Sequence, residues 1–177
     1  MDERVRDHLA ACDRLTQAVE EAERSGRWDA PSPCTDWDAR GVLEHVIGGH
    51  DHMFLRPLDA KPDRPKDDPV ARWAVTFAAI EAALSAPGVL DDEQYARLVP
   101  IMTVDVLAHT WDLARAVGAD DTLDADLCQA ALETVAPNEA AIRGSEMFGD
   151  AVPVPADAPV QDRLLAFLGR DPGWRPA

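Results

Sequence analysis

The chain is poor in the residue types that build sheets, disulfide frameworks and membrane spans. Aromatic residues make up 6% of its 177 residues, and β-branched residues are few while alanine is plentiful, a balance that favours helices over sheets. No stretch approaches the roughly 20 consecutive apolar residues that a membrane-spanning helix needs. The three cysteines, Cys12, Cys34 and Cys128, form no CxxC pair, and so sparse and odd a set does not indicate a disulfide framework.

Positive charge is scarce as well. Lysine and arginine total 17 against 33 acidic residues, which gives a formal net charge of −16. A surface this acidic repels phosphate backbones and anionic lipid, so we expect neither nucleic acid nor a membrane as a partner. The N-terminal segment is charged and amphipathic and shows no apolar run of the kind found in signal peptides. These features predict a cytoplasmic protein, which we expect to be a monomer or homodimer.

Apolar residues recur at three- and four-residue spacing in several segments, the pattern of amphipathic helices. Thr35 is predicted to cap the second helix and Thr122 the fifth. Prolines predict that the segment 148–155 is irregular or an edge strand. Four long amphipathic helices predict an all-α fold, a helix bundle in one domain over 1–177, with an irregular C-terminal extension and a short last helix. The predicted helices are 2–25, 35–56, one around 73–84, 100–117, 126–136 with a short continuation over 138–143, and 159–168.

Two residues on the fourth long helix have the spacing of metal ligands. Asp105 precedes His109 by one helical turn, so both side chains share a face and can reach one ion. A histidine from a neighbouring helix would complete a set of two imidazoles and one carboxylate, with a coordination position open to water or substrate. The common alternative for such a pair is a hydrogen bond on a helix surface. Asp112, three residues after His109, is predicted either to orient the imidazole ring or to be a solvated charge.

Periodicity leaves the third ligand open. On a helical wheel His50 lies near the middle of the apolar face of the second helix, whereas His45 lies at its edge, with His52 on the same stripe. His50 is therefore the predicted buried histidine, although burial is more typical of a core residue with one hydrogen bond than of a ligand. The remaining histidine is His8.

Two further side chains have alternative interpretations. Cys34 lies near a helix N-terminus, where a thiol can become a reactive thiolate. It follows a proline and no histidine is evidently placed to activate it, so packing is the favoured interpretation. Trp111, two residues after His109, is predicted to line a pocket, whereas the other tryptophans are predicted to fill the core or a lid.

Three motifs resemble those of a known family, the mycothiol-dependent maleylpyruvate isomerase-like proteins of the DinB superfamily. The resemblance covers nearly the whole chain, and its first two motifs are specific when found together in this order. The motifs are PCTDW at 33–37 with Arg40, Leu43 and HVIGG at 45–49; DVLAHTWDLA at 105–114; and VP at 154–155 followed by LLAF at 164–167 and GRDP at 169–172.

The resemblance implies an up-down-down-up four-helix bundle with a metal at one end of its interior. The implied ligands are His45, Asp105 and His109. Asp105 stands where the isomerase has the longer Glu, which would shift the metal or insert a water. Zinc is the expected ion, with nickel or iron as alternatives.

The resemblance also implies a thiol cofactor of the mycothiol type and an isomerisation or thiol transfer on a small molecule. Arg143 or Arg170 would bind a carboxylate of the thiol or the substrate. The alternative function is a non-catalytic metal-binding sensor or stress protein of the same fold, and a third interpretation is a bundle that has lost its metal.

Overall fold

The computed structural model describes residues 1–140 and 148–176, and within these ranges it is all-helical. The all-α prediction is therefore confirmed for the described residues. Two short 3₁₀ turns and a π-helical segment, Asp51–Leu55, connect or extend the helices, and one isolated β-bridge joins Pro31 to Asp38. The α-helices of the described residues are α1 Glu3–Ser25, α2 Ala39–His50, α3 Pro69–Leu84, α4 Glu93–Val117, α5 Ala125–Val135 and α6 Val160–Phe167.

Among the described residues no helix combines the length and apolar character needed to cross a membrane.

The second helix begins four residues later than predicted. Thr35 is not its cap, because Cys34 O accepts a hydrogen bond from Trp37 N at 2.9 Å and this stretch forms a turn. Asp38 caps the helix instead, with its Oδ1 accepting from Gly41 N at 2.7 Å. A carboxylate at this position satisfies a free N–H and faces the positive end of the helix dipole.

The fourth helix is longer than predicted and runs through a proline. It begins at Glu93, capped by Asp92, so Pro100 lies in its interior rather than in its first turn. Proline has no N–H for the carbonyl of Ala96, four residues earlier. Arg4 supplies the missing donor from α1, with its Nη1 3.2 Å from Ala96 O. The helix therefore continues with the half-buried carbonyl of Ala96 paired.

The four long helices share one apolar core. Helix α1 packs against α3 and α4, α2 also packs against α3 and α4, and α5 packs against α4 and α6. Truncating one of these core side chains to alanine is expected to cost about 2–5 kcal/mol. The largest side chains with no exposed surface include Leu15, Leu43, Phe54, Trp73, Ile80, Leu107, Trp111 and Leu113.

Candidate metal centre

Helices α2 and α4 bring His45, Asp105 and His109 together. One donor atom from each residue lies within 4.8 Å of the other two. Asp105 Oδ1 is 3.6 Å from His45 Nε2 and 3.4 Å from His109 Nε2, so both imidazoles face the same carboxylate oxygen. We call these three residues the outer cluster.

The spacing within the outer cluster suits a shared ion better than hydrogen bonds. Hydrogen bonds from N–H to oxygen usually measure 2.7–3.2 Å between heavy atoms, shorter than both contacts to Asp105. A tetrahedral zinc ion with bonds of about 2.0–2.1 Å sets its ligand atoms roughly 3.3 Å apart. The three donors therefore fit a divalent cation of this kind.

Asp112 orients the His109 ring. His109 Nδ1 donates to Asp112 Oδ2 at 2.9 Å, so the Nε2 atom is the one that faces Asp105. Metal-binding histidines commonly have such a carboxylate behind them. Asp112 is fully buried, and Arg170 compensates its charge through Nη2 at 2.9 Å and Nε at 3.4 Å.

The electrostatics of the outer cluster place a proton where a cation would bind. Burial lowers the pKa of His109, but the Asp105 carboxylate and the hydrogen bonds to both aspartates outweigh it and hold that pKa well above its usual range. Burial raises the pKa of Asp105, but His109 and His45 outweigh it and keep that pKa below its usual range. Without metal, the chain therefore holds a protonated His109 against an ionised Asp105.

A cavity of about 430 Å³ opens onto the outer cluster. The Trp37 ring stacks on the His45 ring, with centroids 4.3 Å apart and planes tilted by 26°, and so fixes the orientation of this imidazole. The His45 side chain is 37% exposed, so an ion at the cluster would be reachable from the cavity. The described residues that line the cavity are Pro33, Cys34, Thr35, Asp36, Trp37, His45, Asp105, His109, Gly149, Leu168, Gly169 and Arg170.

Cys34 belongs to this site, contrary to the packing interpretation. Its Sγ lies 3.1 Å from Asp112 Oδ2 and 3.5 Å from Arg170 Nη2. With His109 and Asp112 it forms a second group of donors within 4.8 Å of one another, so a histidine does lie close to this thiol. The motif PCTDW could have indicated that Cys34 belongs to the site, because the turn that it forms places Cys34 and Trp37 in the cavity wall.

The other predicted site residues lie in different places relative to the cavity. Arg170 lies in the cavity wall, next to Asp112. Arg143 falls outside the described residues and remains a sequence-based prediction. Trp111 is fully buried rather than among the described residues of the cavity wall, with the Arg115 guanidinium 5.0 Å from its ring centroid. His50 is fully buried, as the helical wheel predicts.

Comparison with known proteins gives a family and two relatives. The sequence profile described as mycothiol maleylpyruvate isomerase N-terminal domain matches residues 8–114, a range that includes the whole outer cluster. The "Uncharacterized protein Rv0738" and the "Uncharacterized protein MT0763", from the H37Rv and CDC 1551 strains of Mycobacterium tuberculosis, are each 33% identical over 163 residues. That alignment covers 83% of this chain and 87% of each relative. No solved structure matches the chain significantly.

Proposed function

Since the chain belongs to the family of the mycothiol maleylpyruvate isomerase N-terminal domain, we propose that it holds one divalent cation in the outer cluster and acts on a small molecule with the help of a thiol. One observation carries the proposal: two imidazole nitrogens face one carboxylate oxygen at 3.4 and 3.6 Å. These separations are long for hydrogen bonds and suitable for a common ion.

Two imidazoles and one carboxylate form a ligand set that zinc prefers, and nickel and iron also accept it. When bound at such a set, the ion lowers the pKa of a coordinated thiol and makes it a nucleophilic thiolate. The thiol we propose is of the mycothiol type, and the reaction is an isomerisation or a thiol transfer.

The protein's own groups would position the ligands and the substrate. Trp37 holds the His45 ring by stacking, and Asp112 holds the His109 ring by its hydrogen bond. Arg170 gives one Nη1 hydrogen to Leu168 O at 2.9 Å, and no other described residue accepts from Nη1. We propose that the second Nη1 hydrogen binds a carboxylate of the thiol or substrate in the cavity.

The finer fold assignment belongs to the same proposal. Contacts of α1 with α3 and α4, and of α2 with α3 and α4, support an up-down-down-up bundle. We further infer one domain over 1–177 that works in the cytoplasm, as a monomer or homodimer. The acidic net charge of −16 and the absence of CxxC pairs support this setting.

A non-catalytic metal-binding sensor or stress protein is the second candidate. One observation favours it: Arg170 and Cys34 both contact Asp112, so two polar groups of the cavity wall already pair with the protein itself. In an enzyme these groups would be expected to face the substrate.

Elemental analysis of the full chain and of matched variants tests the metal proposal. The wild-type chain should carry one equivalent of a divalent ion, His109→Ala should lose it, and Asp105→Ala should bind it more weakly. His52→Ala is the control, because His52 is exposed and lies just beyond α2. Full metal content in both His109→Ala and Asp105→Ala would refute the assignment.

Assays with mycothiol separate the two candidate functions. An enzyme should isomerise maleylpyruvate, or transfer the thiol to a small electrophile, and should lose this activity when a chelator removes the metal. A sensor should bind the metal with no thiol-dependent turnover in either condition. Activity that survives complete metal removal would contradict the enzyme mechanism.

A further inference from the structure

A second cluster of donors lies inside the helix bundle. His8 and Cys12 on α1 and His50 at the end of α2 bring one donor atom each within 4.8 Å of the other two. His8 Nε2 is 3.1 Å from His50 Nε2 and 3.8 Å from Cys12 Sγ. All three residues have 0% exposure. We call them the inner cluster.

The hydrogen-bond chain through His8, His50 and Thr103 has four contacts, but these three side chains supply only three protons. There are four short contacts: His50 Nδ1 to Val46 O at 2.8 Å, His50 Nε2 to His8 Nε2 at 3.1 Å, His8 Nδ1 to Thr103 Oγ1 at 3.2 Å, and Thr103 Oγ1 to Val99 O at 2.9 Å. Two neutral imidazoles and one hydroxyl supply three protons. One of the four contacts therefore joins two acceptors.

When Thr103 donates to Val99 O within its own helix, the contact between the two Nε2 atoms is the one without a proton. Val46 O accepts only, so His50 Nδ1 must carry its proton, and His50 Nε2 is then a lone pair. His8 Nδ1 donates to Thr103 in this arrangement, so His8 Nε2 is a lone pair too, 3.1 Å from His50 Nε2 and 3.8 Å from the Cys12 thiol. If Thr103 donates to His8 Nδ1 instead, a proton on His8 Nε2 fills the contact. The first arrangement is the one that leaves both nitrogens free to bind a positive centre.

A proton is a poor candidate for that centre. Burial lowers the pKa of both His8 and His50, because a charged imidazole has no water around it in the core. A metal ion that brings its own anionic ligand avoids this cost, and Cys12 offers a thiol at the right place.

We propose that the inner cluster is a binding site for a thiophilic d¹⁰ cation, Cu(I) or Zn(II), held by His8 Nε2, His50 Nε2 and Cys12 Sγ. With bonds of about 2.0–2.1 Å to nitrogen and 2.3 Å to sulfur, ligand atoms around such an ion stand roughly 3.3–3.8 Å apart. The contacts of 3.1 and 3.8 Å need only small adjustments to reach this range. On binding, the Cys12 thiol releases its proton to solvent and its sulfur bonds to the ion.

Charge favours Cu(I) of the two ions. One Cu(I) and one thiolate cancel, so the loaded site adds no net charge to the core, whereas Zn(II) would leave one positive charge without water. Soft sulfur ligands also select Cu(I) and Zn(II) over harder cations. The anchored Nδ1 atoms of both imidazoles supply the supporting hydrogen bonds that metal-binding histidines usually have.

The test is an anaerobic titration of the full chain with Cu(I) against a chromogenic Cu(I) chelator, and in parallel with Zn(II). The His45→Ala/His109→Ala variant is used so that the outer cluster does not contribute. One equivalent of Cu(I) or Zn(II) should still bind. Cys12→Ser should lower this affinity by more than about 100-fold, since even groups behind the ligands contribute roughly 10- to 100-fold.

Cys128→Ser is the matched control, because Cys128 is also a buried cysteine, on α5, outside the three donor groups. It should bind as the parent does. Since Cys12→Ser could fail to fold, X-ray absorption of the loaded parent provides a second readout and should show a metal bound by two nitrogens and one sulfur. No binding in the parent, equal binding by a folded Cys12→Ser, or a sulfur-free spectrum would each overturn the proposal.

Discussion

The outer and inner clusters each contain two histidines, but their surroundings are opposite. The outer cluster pairs two imidazoles with a carboxylate at the edge of a cavity, and its His45 is 37% exposed. The inner cluster pairs two imidazoles with a thiol, and none of its three residues is exposed. Charge separates them further, because the outer cluster contains the Asp105 carboxylate and is backed by the buried pair of Asp112 and Arg170.

The difference shows how surroundings select an ion when the number of donors is the same. A carboxylate and access to water suit a divalent ion that keeps an open coordination position. A thiol in a dry core suits an ion whose charge the thiolate cancels. On the two proposals, the outer cluster would therefore suit chemistry on an incoming molecule, whereas the inner cluster would suit retention of its ion.

Arg170→Ala should have the largest effect of the four tests, a loss of folding stability that arises next to the outer cluster alone. The substitution leaves the fully buried Asp112 without its cation, and breaking such a pair costs about 3–5 kcal/mol. Urea denaturation should show a loss of this size in the free energy of unfolding. Arg97→Ala is the control, because the Arg97–Glu93 pair is 77% and 83% exposed and should contribute nothing measurable. A loss below about 1 kcal/mol for Arg170→Ala would contradict the buried pair.

Asp112→Asn should weaken divalent-metal binding by roughly 10- to 100-fold, because the amide can no longer orient and polarise the His109 ring as a carboxylate does. Competition with a zinc indicator measures this change. The Cu(I) affinity of the inner cluster should stay the same, since among the described residues Asp112 contacts His109, Cys34 and Arg170 and no member of that cluster. Equal loss at both clusters would show that they are not independent.

The two clusters should also differ in how metal affinity depends on pH. The raised pKa of His109 means that a divalent ion displaces one proton below that pKa, so affinity should rise about tenfold per pH unit and then level off above it. Burial raises the pKa of Cys12 far above neutrality, so Cu(I) affinity at the inner cluster should keep rising at the same slope through the alkaline range. Titrations at several pH values measure both curves. A plateau in the affinity of the inner cluster, or a curve without a plateau for the outer cluster, would contradict this assignment of the displaced protons.

Thr103→Val should have the smallest effect of the four. It removes the hydroxyl next to His8 Nδ1 and leaves that buried donor unpaired, at a cost of about 1–3 kcal/mol to the metal-free chain. Cu(I) affinity should fall modestly, because the His8 ring loses its orientation. Thr110→Val is the control, since Thr110 is also buried on α4 and its hydroxyl donates to Val106 O within the same helix. Identical unfolding curves for Thr103→Val and the wild type would argue against the proton count.

Local spacing predicted much of this molecule, and long-range packing explains what it missed. The pair Asp105 and His109 followed from helix geometry alone, because one turn is a local property. The choice of His45 needed the family resemblance, because the histidine of α2 that faces α4 depends on where this helix begins. The helix begins after the Asp38 cap and the turn that precedes it, whereas the sequence predicted a cap at Thr35.

The inner cluster was missed although its signal has the same form. His8 and Cys12 are one helical turn apart, like the pair on α4. His50 was correctly predicted to be buried, but its neighbour lies 42 residues away in sequence. Periodicity says which face of a helix is covered and not what covers it, so the meeting of α1 and α2 at these two rings could not be predicted.

The family match ends at residue 114, whereas Arg170 reaches the cavity from the part of the chain beyond it. The proposed metal ligands and this part of the cavity wall thus come from different parts of the chain. On that proposal, a substitution in the C-terminal wall would change which molecules reach the ion while leaving its three ligands in place. Specificity and ion retention would then respond to different substitutions.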